Sequence, residues 1–162
     1  MNKSGVLLVY DRAAIAEGPR QRLQMSTVGS LFIGVPAYDP GRRLIYVNNP
    51  NGSRDGRFKG GLVALKVGAD CELGVAWQTA LGAAGGSGGP NLSVPPTVAN
   101  GVVYAVRSAD SAVYALDAAT GAQLWSSSTL ITGGIYGAVT VANGQLLVPA
   151  VNGTLYAFAP HG

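Results

Sequence analysis

The stretch VYALDAATGAQLW, residues 113–125, sets the reading of the whole chain. Successive side chains of a strand point to opposite faces, so Val113 and Ala115 share one face while Tyr114 and Leu116 share the other. Both faces are apolar, and such a strand is expected to be covered on both sides. Asp117 to Gly121 then reads as a tight turn, in which the Asp117 carboxylate caps backbone N–H groups and Gly121 supplies a positive φ. Gln123-Leu-Trp125 begins the returning strand. The segment is a β-hairpin inside a stack of sheets.

The hairpin has relatives along the chain, and self-similarity at a fixed period decides the architecture. Asn152-Gly-Thr-Leu-Tyr-Ala-Phe158 matches Ser111-Ala-Val-Tyr-Ala-Leu116 with Phe158 on Leu116, a period of 42 residues. Gly61-Leu-Val-Ala-Leu65 is the same strand again, 51 residues before Leu116. Lys3 to Asp11 reads as a further copy, with Tyr10 placed 55 residues before Leu65. A second element repeats as well: Pro96-Thr-Val-Ala-Asn-Gly101 precedes Val102 to Val106, and Val139-Thr-Val-Ala-Asn-Gly144 precedes Gln145 to Val148. Pro36-Ala-Tyr-Asp-Pro-Gly41 before Leu44 to Val47 is a looser version. Four strands in about 42–55 residues is the size of a propeller blade, whereas a sandwich does not repeat its sequence. The spacing predicts an all-β partial β-propeller over 1–162. Two full four-stranded blades lie at about 31–82 and 93–131, with partial blades at 1–28 (two strands) and 135–159 (three strands).

Composition agrees. The chain is 48% hydrophobic and 12% charged, with 24 Gly and 9 Pro, and an average domain is about 25% charged. Turn residues this frequent between short apolar runs suit an all-β protein. Asp11 to Glu17 is the best helical candidate and reads as a loop, for want of an apolar face. Net charge is +3, and of the 11 Lys and Arg only Arg107 lies beyond residue 66. Arg54-Asp-Gly-Arg57-Phe-Lys59 is the nearest approach to a nucleic-acid patch and reads as a polar loop tip, so no nucleic-acid partner is expected. No apolar run reaches the roughly 18 residues of a membrane span, and Gly5 to Tyr10 is too short for the apolar core of a signal peptide.

Ala115-x-Asp117-x-x-Thr120-Gly121-x-x-x-Trp125 resembles the tryptophan-docking motif, AxDxxTGxxxW, of the pyrroloquinoline-quinone (PQQ) repeat propellers. The resemblance implies that the Trp ties its blade to the next one, and that Ala115, Asp117, Thr120, Gly121, Trp125 and Trp77 are structural docking residues. Only this blade carries the whole motif. The blade before it keeps Ala64 and Trp77 but has Lys66 in place of the Asp, lacks the Thr-Gly and is three residues longer. The first copy has Val9-Tyr-Asp11 and no Trp, with Leu23 or Met25 the nearest substitute. Propellers of this kind close a ring of about seven or eight blades, so the chain is expected to be the C-terminal part of a larger protein. Its uncovered end faces and the third strand Thr154 to Phe158 are expected to lead it to self-associate.

Candidate chemistry is sparse. His161 is the only histidine, Cys71 the only cysteine, and there is no HExxH, so neither a catalytic triad nor a zinc site is expected. Gly82 to Pro90 lacks the Lys-Ser/Thr of a P-loop and reads as a linker between blades. Asn48 to Gly56 reads as an expanded surface hairpin loop rather than an ion site, and Cys71 as packed or paired with a cysteine elsewhere in the parent. Two functions follow from the resemblance. One is a non-catalytic binding or scaffold propeller that presents its blades to partner proteins. The other is a fragment of a PQQ-dependent alcohol or sugar dehydrogenase, which needs a quinone at the axis, a Ca²⁺ held by acidic and amide groups, and an Asp base. The innermost candidates, Val94 to Val98 and Gly137 to Val141, are apolar or hydroxylic. The first reading is therefore preferred, with no cofactor and no metal expected, and with a periplasmic or extracellular location implied for the parent.

Overall fold

The Asn-Gly dipeptides set the strand boundaries. Asn100 and Gly101 both have positive φ (50° and 80°), as do Asn143 and Gly144 (49° and 74°). This is the backbone of the two-residue hairpin turn that matches the right-handed twist of its strands. The computed structural model describes residues 3–27, 31–32, 34–81, 92–108 and 110–159. In chain order the strands are β1 (Val6–Tyr10), β2 (Pro19–Gln24), β3 (Leu31–Phe32), β4 (Ala37–Asp39), β5 (Leu44–Asn49), β6 (Gly61–Val67), β7 (Leu73–Thr79) and β8 (Leu92–Ser93). They continue with β9 (Thr97–Ala99), β10 (Val102–Arg107), β11 (Ala112–Asp117), β12 (Gln123–Ser126), β13 (Thr140–Ala142), β14 (Gln145–Pro149) and β15 (Leu155–Phe158). A single 3-10 turn, Ile15–Glu17, interrupts the loop between β1 and β2.

The strands form a two-stranded sheet β1-β2, a four-stranded sheet β4-β5-β6-β7, a sheet containing β9-β10-β11-β12, and a three-stranded sheet β13-β14-β15. Every pairing within these four sheets is antiparallel. Two short strands are additions to the expected set. β8 extends the inner edge of the third sheet through the Arg107–Ser93 pair, and β3 runs parallel beside it. Between β8 and β9 stand Pro95 and Pro96, which lack the N–H groups a continuous ladder needs. The inner strand of the third sheet therefore falls at Thr97–Ala99; that of the fourth falls at Thr140–Ala142, and both lie C-terminal of the expected positions.

The interior is divided into three clusters, each between two successive sheets. Leu7, Leu23 and Met25 meet Val47, Val63 and Leu65 between the first and second sheets. Tyr46, Leu62 and Ala64 meet Val103, Ala105, Tyr114 and Leu116 between the second and third. Val106 and Val113 meet Ile135, Leu146 and Val148 between the third and fourth. This is why β11 is apolar on both faces: Tyr114 and Leu116 look back to the second sheet while Val113 looks forward to the fourth. The chain is thus an all-β run of four sheets stacked face to face. It is open, since no cluster joins the first sheet to the fourth among the described residues.

Candidate functional site

The turn after β11 is built as its residues dictate. Asp117 Oδ1 accepts from the backbone N–H groups of Ala119 (2.9 Å) and Thr120 (2.8 Å) and from the Thr120 hydroxyl (2.9 Å). The Gly121 N–H closes the turn on the Asp117 carbonyl at 2.8 Å. Those bonds, the Thr120 N–H first and its hydroxyl next, hold the Asp117 pKa below the ordinary 3.8. A carboxyl whose folded pKa is depressed adds stability above its unfolded value and loses it as pH falls through the folded value. Asp117→Asn is therefore expected to reduce stability near neutrality and to leave a flatter acid limb below about pH 4. Urea unfolding across pH checks this: an equal difference from the parent chain at every pH would count against the turn's role.

The second sheet sits on this turn. Gly121 has φ +76°, and a Cβ there would lie 2.4 Å from Cε3 of Trp77 and 2.7 Å from the Thr79 hydroxyl. The indole Nε1 of Trp77 donates to the Ala118 carbonyl at 3.3 Å, and the buried Tyr46 hydroxyl donates to the same oxygen at 2.9 Å. The Thr79 hydroxyl donates to the Gly121 carbonyl at 2.7 Å. The Tyr46 and Trp77 rings are 5.8 Å apart. Burial pushes the Tyr46 phenol up to about 12, so it remains a donor across the physiological range. Three side chains of one sheet thus satisfy two carbonyls of the next.

The register shows how each seam is built. Trp77 lies opposite Ala64, with a bulge between Ala64 and Leu65. Trp125 lies opposite Ala115, with a bulge between Ala115 and Leu116. Trp125 is half-buried, and its ring packs against Phe158 of the fourth sheet at 5.1 Å. In the first sheet the same bulge falls between Val9 and Tyr10, and the residue opposite Val9 is Gln21. This corrects the expectation that Leu23 or Met25 takes the tryptophan's place, since both are buried in the cluster between the first and second sheets. Gln21 holds the second sheet by two bonds to one residue: its Nε2 donates to the Leu73 carbonyl (3.0 Å) and its Oε1 accepts from the Leu73 N–H (2.9 Å).

Two asparagines do similar work. Asn48 and Asn49 are buried at the end of β5, not in a surface loop as their polarity suggested. Asn48 Nδ2 donates to the carbonyls of Val106 (2.6 Å) and Val94 (3.2 Å) in the third sheet and its inner extension. Asn49 Nδ2 donates to Met25 (2.8 Å) and Lys59 (2.9 Å). The loop proper begins after them and is tied by Ser53, Asp55 and Arg57. Cys71 is exposed with φ 64° in the turn before β7, which removes the packed alternative. His161 and the Gly82 to Pro90 run lie outside the described residues.

A quinone and Ca²⁺ centre needs free carboxylates and amides gathered at one place, and among the described residues all the aspartates are engaged locally. Asp11, Asp55, Asp70 and Asp117 each accept from backbone N–H groups of their own turn. Asp39 holds Arg42, and Asp110 holds Arg107 and Tyr114. The Asn48 and Asn49 amides point at backbone carbonyls. Among the described residues no three His, Cys, Asp or Glu side chains come together as a metal site.

Stacked antiparallel sheets, the recurrent bulge and the seam residues define a propeller of the PQQ-repeat class. Within it, residues 73–161 match the family described as outer membrane protein assembly factor BamB, and the chain belongs to that family. Among solved structures it is similar to BamB from Moraxella catarrhalis, at 16% identity and TM-score 0.60, over 97% of this chain and 40% of that one. It is also similar to a europium-containing methanol dehydrogenase, at 22% identity and TM-score 0.56, over 91% of this chain and 23% of that one. At these identities the likeness speaks to the fold. The chain spans less than half the length of either structure. No curated protein matches it. Among the described residues no helix is long and apolar enough to cross a membrane.

Proposed function

We propose that the chain is a non-catalytic, protein-binding part of an exported propeller that acts as a scaffold. The observation that carries this reading is the outward face of the fourth sheet. Leu147, Pro149, Leu155 and Ala157 pair across β14 and β15 as Tyr104, Val106, Val113 and Ala115 pair across β10 and β11. In the third sheet that face is covered by the next sheet. In the fourth, Leu155 is 63% exposed, and Val151 beside it is 60% exposed. A row of this kind is what one blade offers to another, whether in the same parent, a partner protein or a second copy. The membership in a family named for outer-membrane-protein assembly supports a partner protein and an exported location.

The turn-bound carboxylates support the absence of chemistry. Incubated with PQQ and Ca²⁺, the chain is expected to reduce no dye in the presence of alcohols or sugars. Turnover that EDTA abolishes would overturn the reading in favour of a dehydrogenase fragment.

A further inference from the structure

We propose that the loop between β5 and β6 is a docking site for an acidic segment of a partner protein. The repeat singles this loop out. The equivalent connection from β10 to β11 has four residues (108–111) and that from β14 to β15 has five (150–154), whereas eleven residues, 50–60, join β5 to β6. Four or five residues suffice to close the hairpin, so the blade itself does not call for the extra length. The longer loop brings Arg54, Arg57 and Lys59, all exposed, and one carboxylate, Asp55. Charge is also uneven between the two ends of the sheets, and every Lys, Arg, Asp and Glu lies in the described residues. At the end that bears this loop stand Lys3, Arg54, Arg57, Lys59 and Arg107 against two carboxylates, Asp55 and Asp110. The opposite end sets five cations against six carboxylates. The positive charge of the chain is therefore concentrated around the loop. Asp110 is taken by Arg107, and the other ion pair, Arg42 with Asp39, lies at the far end. Among the described residues Arg54, Arg57 and Lys59 form no ion pair.

The loop is fixed from beneath. Phe58 is 2% exposed and belongs to the cluster between the first two sheets. Its N–H donates to the Ser53 hydroxyl at 2.9 Å, and its carbonyl accepts from the Ser53 N–H at 2.8 Å. From β7, Gln78 accepts the Lys59 N–H on Oε1 (2.7 Å) and donates Nε2 to the Arg57 carbonyl (3.0 Å). The Asn49 amide donates to the Lys59 carbonyl (2.9 Å). These bonds engage the backbone of Arg57 and Lys59 and leave their charged groups for a ligand. A site held in place before binding loses less freedom when it binds, and a guanidinium can take a carboxylate through two parallel N–H bonds. The same loop suits other polyanions poorly. Single-stranded nucleic acid is gripped by stacking on aromatic rings, and a membrane surface by apolar side chains that enter it. The one aromatic ring of residues 50–60 is buried.

This rests on the protein-binding reading and deepens it, and it fails separately: a chain with quinone turnover could still bind an acidic peptide, and an inert chain could still refuse one. The probe is a fluorescent peptide of alternating Glu-Ser and Asp-Gly, presented to the full chain at about 0.15 M salt, where the Debye length is about 8 Å. Saturable binding is expected. Arg54→Glu combined with Lys59→Glu is expected to weaken it at least tenfold. Arg12→Glu combined with Arg20→Glu makes the same change of net charge at the opposite end and is expected to weaken it less than twofold. A peptide with Gln and Asn in place of its acids is expected not to bind, and that comparison leaves the protein untouched, so a folding defect cannot mimic it. No saturable binding, an equal loss in the two double variants, or equal binding of the neutral peptide would overturn the proposal. So would tighter binding of a single-stranded oligouridylate, or of vesicles of phosphatidylglycerol and phosphatidylcholine in equal parts, since the occupant would then be a nucleic acid or a membrane.

Discussion

Trp77→Ala is expected to remove about 3–5 kcal/mol of stability, the range for truncating a large aromatic in a packed site. For a chain of this size that is a fall of roughly 10 °C in Tm. The indole is the lid on Gly121, a ring partner of Tyr46 and a donor to Ala118, so its loss opens the seam between the second and third sheets and leaves one carbonyl with a single donor. Gly121→Ala attacks the same contact from the other side, by a Cβ placed 2.4 Å from the ring and a φ of +76° that L-residues avoid. In the double variant the clash with the ring disappears, while the close contact with the Thr79 hydroxyl and the backbone strain stay. The two effects should therefore fall short of additive by at least about 1 kcal/mol, as for residues in contact. Urea unfolding of the four-member cycle measures this. A loss below about 1 kcal/mol for Trp77→Ala, or strict additivity, would show that the seam is held elsewhere.

Asn48→Leu is expected to lose about 2–4 kcal/mol, although it preserves volume and adds hydrophobicity. Its side chain is 5% exposed and gives both amide hydrogens to carbonyls of the neighbouring sheet. Leaving a buried polar group without its partner costs about 1–3 kcal/mol, and two acceptors are affected here. The comparison residue is Val106, which takes the same place in the next sheet, opposite Val113 as Asn48 is opposite Leu62: there an apolar side chain faces an apolar seam. Asn48→Val therefore tests whether the seam tolerates the solution used one blade later. A melting temperature unchanged by either substitution would contradict the role assigned to the amide.

The strands and turns were legible in the sequence because their signals are local. Alternation in Val113 to Leu116, the Asn-Gly pairs at 100–101 and 143–144, and the Asp117 to Gly121 turn each express a backbone preference within a few residues. The stacking followed from β11 being apolar on both faces. The seams were less legible, because their partners lie 41 to 72 residues apart and meet only once the sheets stack. Asn48 and Asn49 looked like loop residues by polarity, yet polarity is what the seam uses there. Gln21 was hidden for a related reason. A search for a bulky apolar substitute passes over an amide, and only the strand register places it opposite Val9. Tyr46 carried a faint signal in its match to Tyr104, but a tyrosine in a strand has many uses.

The division of the interior into three separate clusters bears on how such a chain could lengthen. Each sheet brings one receiving face and one giving face, and each cluster draws only on the two sheets beside it. A stretch of DNA duplicated in frame, one blade long, would insert a sheet whose two faces already fit their new neighbours. No residue beyond the junction would need to change. A copy is then free to drift at its rim while its two faces keep their fit, and the glutamine opposite Val9 where Trp77 and Trp125 stand opposite Ala64 and Ala115 is the kind of divergence that such a history leaves.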